Sequence, residues 1–309
     1  MIRFPVSHFV ILVTLSCCSA TADGLPGGRV LLIGIDGCRP DALEAARTPH
    51  VDALIRNGCW TKNTRILGER YQKNDTISGP GWSSFLTGVW ADKHGVHDNS
   101  FDGHQLEKFP HLFRRVKEKW PDARLGSFVD WEPIDRFIVQ AADTRVVFPA
   151  KGALLYAQFD KVLARSAVEF LARPDSCAAM VYFGAPDENG HSHGFHPDVP
   201  QYIAAIERTD EHIGELIAAI KARPAYAQED WLVIVSTDHG GKDKGHGDGH
   251  SEAEIYGTFL VVSGPSAQRL PISEQTYVVD VAVTALTHLS VSVRPEWNLD
   301  GRAVGLKTE

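Results

Sequence analysis

The chain has 309 residues, with 31 Lys and Arg against 39 Asp and Glu, for a formal charge of −8. That length supports one large core. Hydrophobic residues at 43% and charged residues at 23% exclude wholesale disorder, and the acidic balance without a basic run excludes coating a phosphate backbone. Histidine stands out at 14 residues, and seven of these (His191, His193, His196, His212, His239, His246 and His250) fall within sixty positions. Imidazole is the commonest metal ligand and titrates near neutrality, so composition alone points to a site.

Residues 1–22 read as a secretory leader. Arg3 gives the basic start, residues 9–15 the short apolar run, and Ala20-Thr21-Ala22 the small-residue cleavage pattern. The run is shorter than the roughly 20 apolar residues a bilayer span needs, and no later stretch reaches that length. The expectation is a secreted or periplasmic protein whose mature domain is 23–309, with no membrane span. Thr14-Leu15-Ser16 before Cys17 fits a lipoprotein signal at Cys17 or Cys18 poorly. The mature chain keeps Cys38, Cys59 and Cys177, an odd number, so at most one disulfide forms and this is no disulfide scaffold.

Beyond the leader, apolar strand-like runs alternate with helical periodicity. Residues 29–35 form a continuous apolar run, as a strand buried on both faces requires. Further strands are expected over 124–129, 178–183, 231–236 and 258–262, and helices over 48–57, 110–119, 159–172 and 197–222. This alternation predicts a single α/β domain with a mostly parallel central sheet and helices on both faces. In such folds ligands bind beyond the carboxyl ends of the strands.

Chemistry-bearing residues fall at those ends. Asp36-Gly37 follows the first strand, Pro186-Asp187-Glu188-Asn189-Gly190-His191 follows the strand at 178–183, and Thr237-Asp238-His239-Gly240-Gly241 follows the strand at 231–236. Gly245-His246-Gly247 comes soon after. Alone, an aspartate at a strand end more often caps a turn. Asp187 and His191, spaced i and i+4, would meet on one helical turn. Carboxylate and imidazole donors suit Zn²⁺, with Mn²⁺ or Fe as other options, and five or six of them suit two ions better than one. A hydroxyl sits at Ser78, before Gly79-Pro80, where a helix start is expected. Unpaired amides and the helix dipole favour an anion there, although serine in such a place is also a common N-cap.

Taken in order, these motifs resemble the alkaline phosphatase superfamily, and most closely its type I phosphodiesterase/nucleotide pyrophosphatase branch. They are Ile35-Asp36-Gly37-x-Arg39-Pro40-Asp41, Ser78-x-Pro80 leading to Leu86-Thr87-Gly88, Lys93-His94-Gly95-Val96, Asp187-x-x-Gly190-His191 and Asp238-His239-Gly240. The likeness runs from about residue 29 to 265. It implies a hydrolase that cleaves a phosphodiester or pyrophosphate bond of a small phosphoester at two zinc ions. Asp36, Asp238, His239 and the nucleophile would hold one ion. Asp187, His191 and His246, preferred over His250, would hold the other. The nucleophile lies nine positions before Thr87, which selects Ser78 over Thr76, Ser83 or Ser84.

The chain departs from the pattern in three places. Where the diesterases place Asn to bind a phosphate oxygen, this chain has Gly81, and Asn99 is the candidate substitute. Trp82 stands where sulfatases need a basic residue, which argues against a matured formylglycine. No arginine clamp of dedicated monoesterases is identifiable, with Arg39 the one candidate. A phosphomonoesterase or sulfatase on the same scaffold is the second reading. A non-catalytic metal-binding module is the third, and it would require a missing ligand or nucleophile, whereas none is missing. Trp90 and Trp131 are expected in packing, and the amides near Gly79 are expected as donors to developing charge.

Overall fold

The computed structural model describes residues 27–67 and 74–307. The expected leader at 1–22, with Cys17 and Cys18, lies outside the described residues. Eight strands form one sheet: β1 (Gly28–Ile35), β2 (Gly58–Arg65), β3 (Arg124–Val129), β4 (Thr144–Val147), β5 (Ser176–Phe183), β6 (Asp230–Ser236), β7 (Gly257–Ser263) and β8 (Thr276–Tyr277). Their order is β4-β3-β5-β1-β6-β7-β2-β8. The pairings β1 with β5 and β6, β3 with β4 and β5, and β2 with β8 are parallel, while β7 runs antiparallel to both β6 and β2.

The period-two alternation of β1 builds the layers. Val30 and Leu32 point into one apolar layer with Trp82, Phe85, Leu112, Phe113 and Val281. Leu31, Ile33 and Ile35 point into the other, with Leu163, Ala167, Ile206, Ile213 and Leu216. The first layer is roofed by helices Ser78–Thr87, Leu112–Lys119 and Asp280–His288, and the second by Pro49–Arg56, Ala153–Leu171 and Pro200–Lys221. The expected strands and helices are all present, the helix expected from 159 starting earlier, at Ala153. Cys38, Cys59 and Cys177 are buried free thiols. Among the described residues no helix is long and apolar enough to cross a membrane.

Candidate metal centre and nucleophile

Strand order places β5, β1 and β6 side by side, parallel, with their carboxyl ends on one edge. In a parallel sheet of this kind, ligands bind outside that edge. Asp36 follows β1 directly, Asp238 and His239 follow β6, and Asp187 and His191 sit on the helix Ala185–His193 that follows β5. Gly37 makes the turn after Asp36 with φ +62°, and a Cβ there would lie 2.5 Å from Asp187 Oδ1. Glycine therefore supplies both the left-handed turn and the close approach of the second loop.

Asp36 is buried, and its Oδ2 accepts hydrogen bonds from the Tyr182 hydroxyl at 2.5 Å and Trp82 Nε1 at 3.0 Å. Its Oδ1 has no donor and lies 3.4 Å from His239 Nε2. Asp238 Oδ1 receives only a long contact from the Gly37 amide, at 3.5 Å, while Oδ2 is unpartnered and 3.2 Å from the same His239 Nε2. Asp187 Oδ2 lies 3.3 Å from His191 Nε2, and its Oδ1, without a donor, lies 3.4 Å from His246 Nε2. The Nε2 atoms of His191 and His246 are 2.9 Å apart, and the rings of His239 and His246 stack at 3.8 Å. Ser78 Oγ lies 3.3 Å from His239 Nε2.

His239 thus joins two groups of potential ligand atoms, one with Asp36 and Asp238, the other with Asp187 and His246. Three buried carboxylate oxygens without donors, aimed at imidazole nitrogens, are costly in a folded protein unless a cation sits among them. The imidazoles are prepared for one. His239 Nδ1 is 2.8 Å from the Gly240 carbonyl and His191 Nδ1 is 2.9 Å from the Lys244 carbonyl. A carbonyl only accepts, so each Nδ1 carries the proton and turns Nε2 toward the cluster. The residues therefore fit divalent cations.

Without a cation, the crowding of these groups shifts their titration. Burial, then the charge of Asp36, pushes Asp187 up to about 7. Burial, then Asp36 and Asp187, pushes Asp238 well above the carboxylate range. His191, hydrogen-bonded to Asp187, is raised to about 9, whereas burial lowers His239 to about 3 and His246 to about 2.

Ser78 is the first residue of the helix Ser78–Thr87, not its N-cap, and its side chain makes no capping bond. The hydroxyl is thereby left for the cluster. Asn99 approaches from its loop and accepts the Gly79 N–H at 2.7 Å. That bond corrects the expectation for Gly79: its amide is already engaged by Asn99 and is not a free donor. His250 Nε2 meets the Asn74 carbonyl at 2.8 Å, outside the cluster, while His193 and His196 are exposed. Arg39 is no clamp. Its guanidinium is buried against the carbonyls of Phe195 and Gly241 and the Asp41 carboxylate, tying the ligand loops from below.

Trp82 and Tyr182, the donors to Asp36, were not expected from sequence as site residues. Trp82 carried one signal, because it lies one helical turn after Ser78. Trp90 packs edge-on against Tyr277. Trp131 is half-buried in a cleft of about 450 Å³ that also includes Asp130, Lys151, Tyr156 and Glu188, the neighbour of Asp187.

Comparison with known proteins agrees with this geometry. The family model for type I phosphodiesterase/nucleotide pyrophosphatase matches residues 30–144 and 126–247. Bis(5'-adenosyl)-triphosphatase ENPP4 of Bos taurus is 25% identical over 298 residues, covering 90% of this chain and 62% of the relative. Ectonucleotide pyrophosphatase/phosphodiesterase family member 7 of Mus musculus is 22% identical, covering 76% of this chain and 55% of the relative. The chain thus spans about 60% of the length of these curated relatives. Among solved structures, murine ENPP5 superposes with a TM-score of 0.65 at 17% identity, covering 86% of this chain and 96% of that one. A 2-O GAG sulfatase superposes at 0.71 with 14% identity, covering 91% and 73%. Likeness at that identity speaks for the shared fold alone, whereas the family match spans well over half the sequence. With its acids and histidines gathered at the ends of β1, β5 and β6, the chain belongs to the type I phosphodiesterase/nucleotide pyrophosphatase family.

Proposed function

We propose that this protein is an exported phosphoesterase that cleaves a phosphodiester or pyrophosphate bond through a phosphoseryl intermediate on Ser78. The observation that carries the reading is the place of Ser78 Oγ, 3.3 Å from His239 Nε2, where the two groups of ligand atoms meet. Asp36, Asp238, His239 and Ser78 would hold one divalent ion, and Asp187, His191 and His246 the other, with zinc the best match to this donor set. When bound, such ions lower the pKa of a hydroxyl and offset charge on phosphoryl oxygens.

The chain's own groups do the rest. Ser78 Oγ, its proton passed to solvent water, attacks phosphorus opposite the leaving oxygen, so that the new Ser–O–P bond forms as the ester bond breaks and the leaving oxygen takes a proton from water. The N-terminus of the helix Ser78–Thr87 faces the phosphoryl charge. Asn99 Oδ1 is anchored by the Gly79 amide, which leaves its Nδ2 to donate to a phosphoryl oxygen. Water then cleaves the phosphoserine, and the two in-line displacements give net retention at phosphorus. Trp82 speaks against the sulfatase alternative, since it is fully buried and spends its N–H on Asp36.

Purified enzyme loaded with zinc should turn over bis-(p-nitrophenyl) phosphate faster than p-nitrophenyl phosphate and leave p-nitrophenyl sulfate nearly untouched. Ser78→Ala should abolish turnover while retaining two zinc ions per chain. A preference for the sulfate ester, or full activity in Ser78→Ala, would overturn the reading.

A further inference from the structure

The helix Ala185–His193 has a weak start of its own. Its N-cap is Gly184, which has no side chain, and its second residue is Pro186, which has no N–H. The caps come from elsewhere in the fold. Asp160, buried on the helix Ala153–Leu171, accepts the Gly184 amide at 3.2 Å and the Ala185 amide at 3.3 Å, one on each carboxylate oxygen. One turn earlier on the same helix, the ring of Tyr156 packs so closely on Gly184 that a Cβ there would lie 2.4 Å from it. The turn 156–160 therefore grips the start of the ligand helix with a ring and a carboxylate.

A second acid stands behind the first. Asp130 follows β3 and is fully buried, and neither of its oxygens meets an N–H or O–H of the protein. Burial and the nearby Asp160 charge push Asp130 well above the carboxylate range, and burial raises Asp160 to about 7. Asp160 alone of the two spends its oxygens on the amides of the helix start.

We infer that Asp160 is a positioning residue that fixes the helix Ala185–His193 and so sets Asp187 and His191 in ligand geometry. The inference rests on the reading of those two residues as metal ligands. Asp187 lies two residues beyond Ala185, about 3 Å along the helix axis, so a tilt at the start displaces both ligands together.

The test compares the full chain with Asp160→Ala, Asp160→Asn and Asp130→Asn. One measurement is zinc affinity, by competition with a chelator. The other is hydrogen exchange of residues 184–193 in chelator-treated protein. Asp160→Ala should weaken one of two zinc equivalents by about 10- to 100-fold, as loss of groups orienting metal ligands does. It should also speed exchange over 184–193 about tenfold or more and leave β1 and β6 protected. Should that variant fail to fold, Asp160→Asn serves in its place, because its amide oxygen accepts one N–H while its NH₂ opposes the other. Asp130→Asn changes a neighbouring acid that makes no hydrogen bond to the helix start and should keep both zinc equivalents and the wild-type exchange. Wild-type exchange and zinc affinity in a folded Asp160 variant would overturn the inference, as would an Asp130→Asn as defective as Asp160→Ala. If wild-type protein itself held fewer than two zinc ions, the metal reading would fall, and exchange over 184–193 would still decide the role of Asp160.

Discussion

Asn99 is the proposed substitute for the phosphate-binding side chain that Gly81 lacks. A Cβ at Gly81 would lie 2.9 Å from Asp238 Cβ and 3.2 Å from Asp238 O, so any side chain there pushes on a candidate ligand. Asn99 reaches the same helix start from the opposite loop, its oxygen held by the Gly79 amide. Asn99→Ala should lower kcat/KM on a diester by about 10²-fold, the cost of one donor to developing charge. Asn99→Asp should be worse, because it keeps the acceptor for Gly79 but sets a negative charge against the phosphoryl group. Gly81→Asn should not rescue Asn99→Ala and should weaken zinc binding by displacing Asp238. Steady-state kinetics and zinc titration of the three variants check this, and an Asn99→Asp more active than Asn99→Ala would refute it. Asp36, Asp187, Asp238 and His239 were legible as candidates in the sequence because each comes soon after an apolar run. The choice of His246 over His250 came only from the resemblance, and the structure separates the two by giving His250 a carbonyl partner.

Elements were legible where one physical signal dominated. The apolar run of β1 and the helical periodicity of Pro200–Lys221 stood out because burial on both faces, or on one stripe, imposes a pattern. By contrast, β2 carries Lys62, Asn63 and Arg65 and breaks register between Thr61 and Thr64, so its alternation is blurred. The helix Asp280–His288 is buried almost all round and so shows no stripe. Trp82 and Tyr182 were illegible as partners of Asp36 because they lie 46 and 146 positions away and meet it only through the fold. That meeting depends on Gly34, where a Cβ would lie 2.3 Å from the Trp82 ring and 2.9 Å from Met180. Gly34→Ala should therefore force Trp82 away from Asp36. Overpacking of this kind costs about 1–3 kcal/mol, and zinc affinity should fall as Asp36 loses one of its two donors. Thermal melting with zinc titration measures both, and an unchanged zinc affinity would show that Trp82 does not hold Asp36 in place.

At the scale of the whole molecule, the site sets how stability depends on pH. Asp187, raised to about 7, and Asp238, raised by burial and neighbouring carboxylates, hold protons more tightly folded than unfolded, where an aspartate titrates near about 3.9. The contribution of Asp187 in the metal-free protein is full below about pH 4 and is lost as pH rises through about 7, and that of Asp238 is likewise lost with rising pH. His191, raised to about 9, acts in the same direction, its share fading as pH rises from about 6.5 through 9. His239 and His246, lowered by burial to about 3 and 2, act oppositely, stabilising above about pH 6.5 and failing as pH falls. Metal-free protein is thus squeezed from both sides. Zinc needs the carboxylates ionised and each Nε2 bare, so the stability it adds must grow with pH. With zinc at about 1,000 times its dissociation constant, each site adds about 4 kcal/mol. For a domain of this size that is about 10 °C or more in Tm for the pair. Melting zinc-loaded and chelator-treated protein side by side should show a gap of that order at pH 8 that shrinks to a few degrees at pH 5. A gap constant across that range would mean that the cation is not bound by these titrating groups, and the centre would have to be sought elsewhere in the fold.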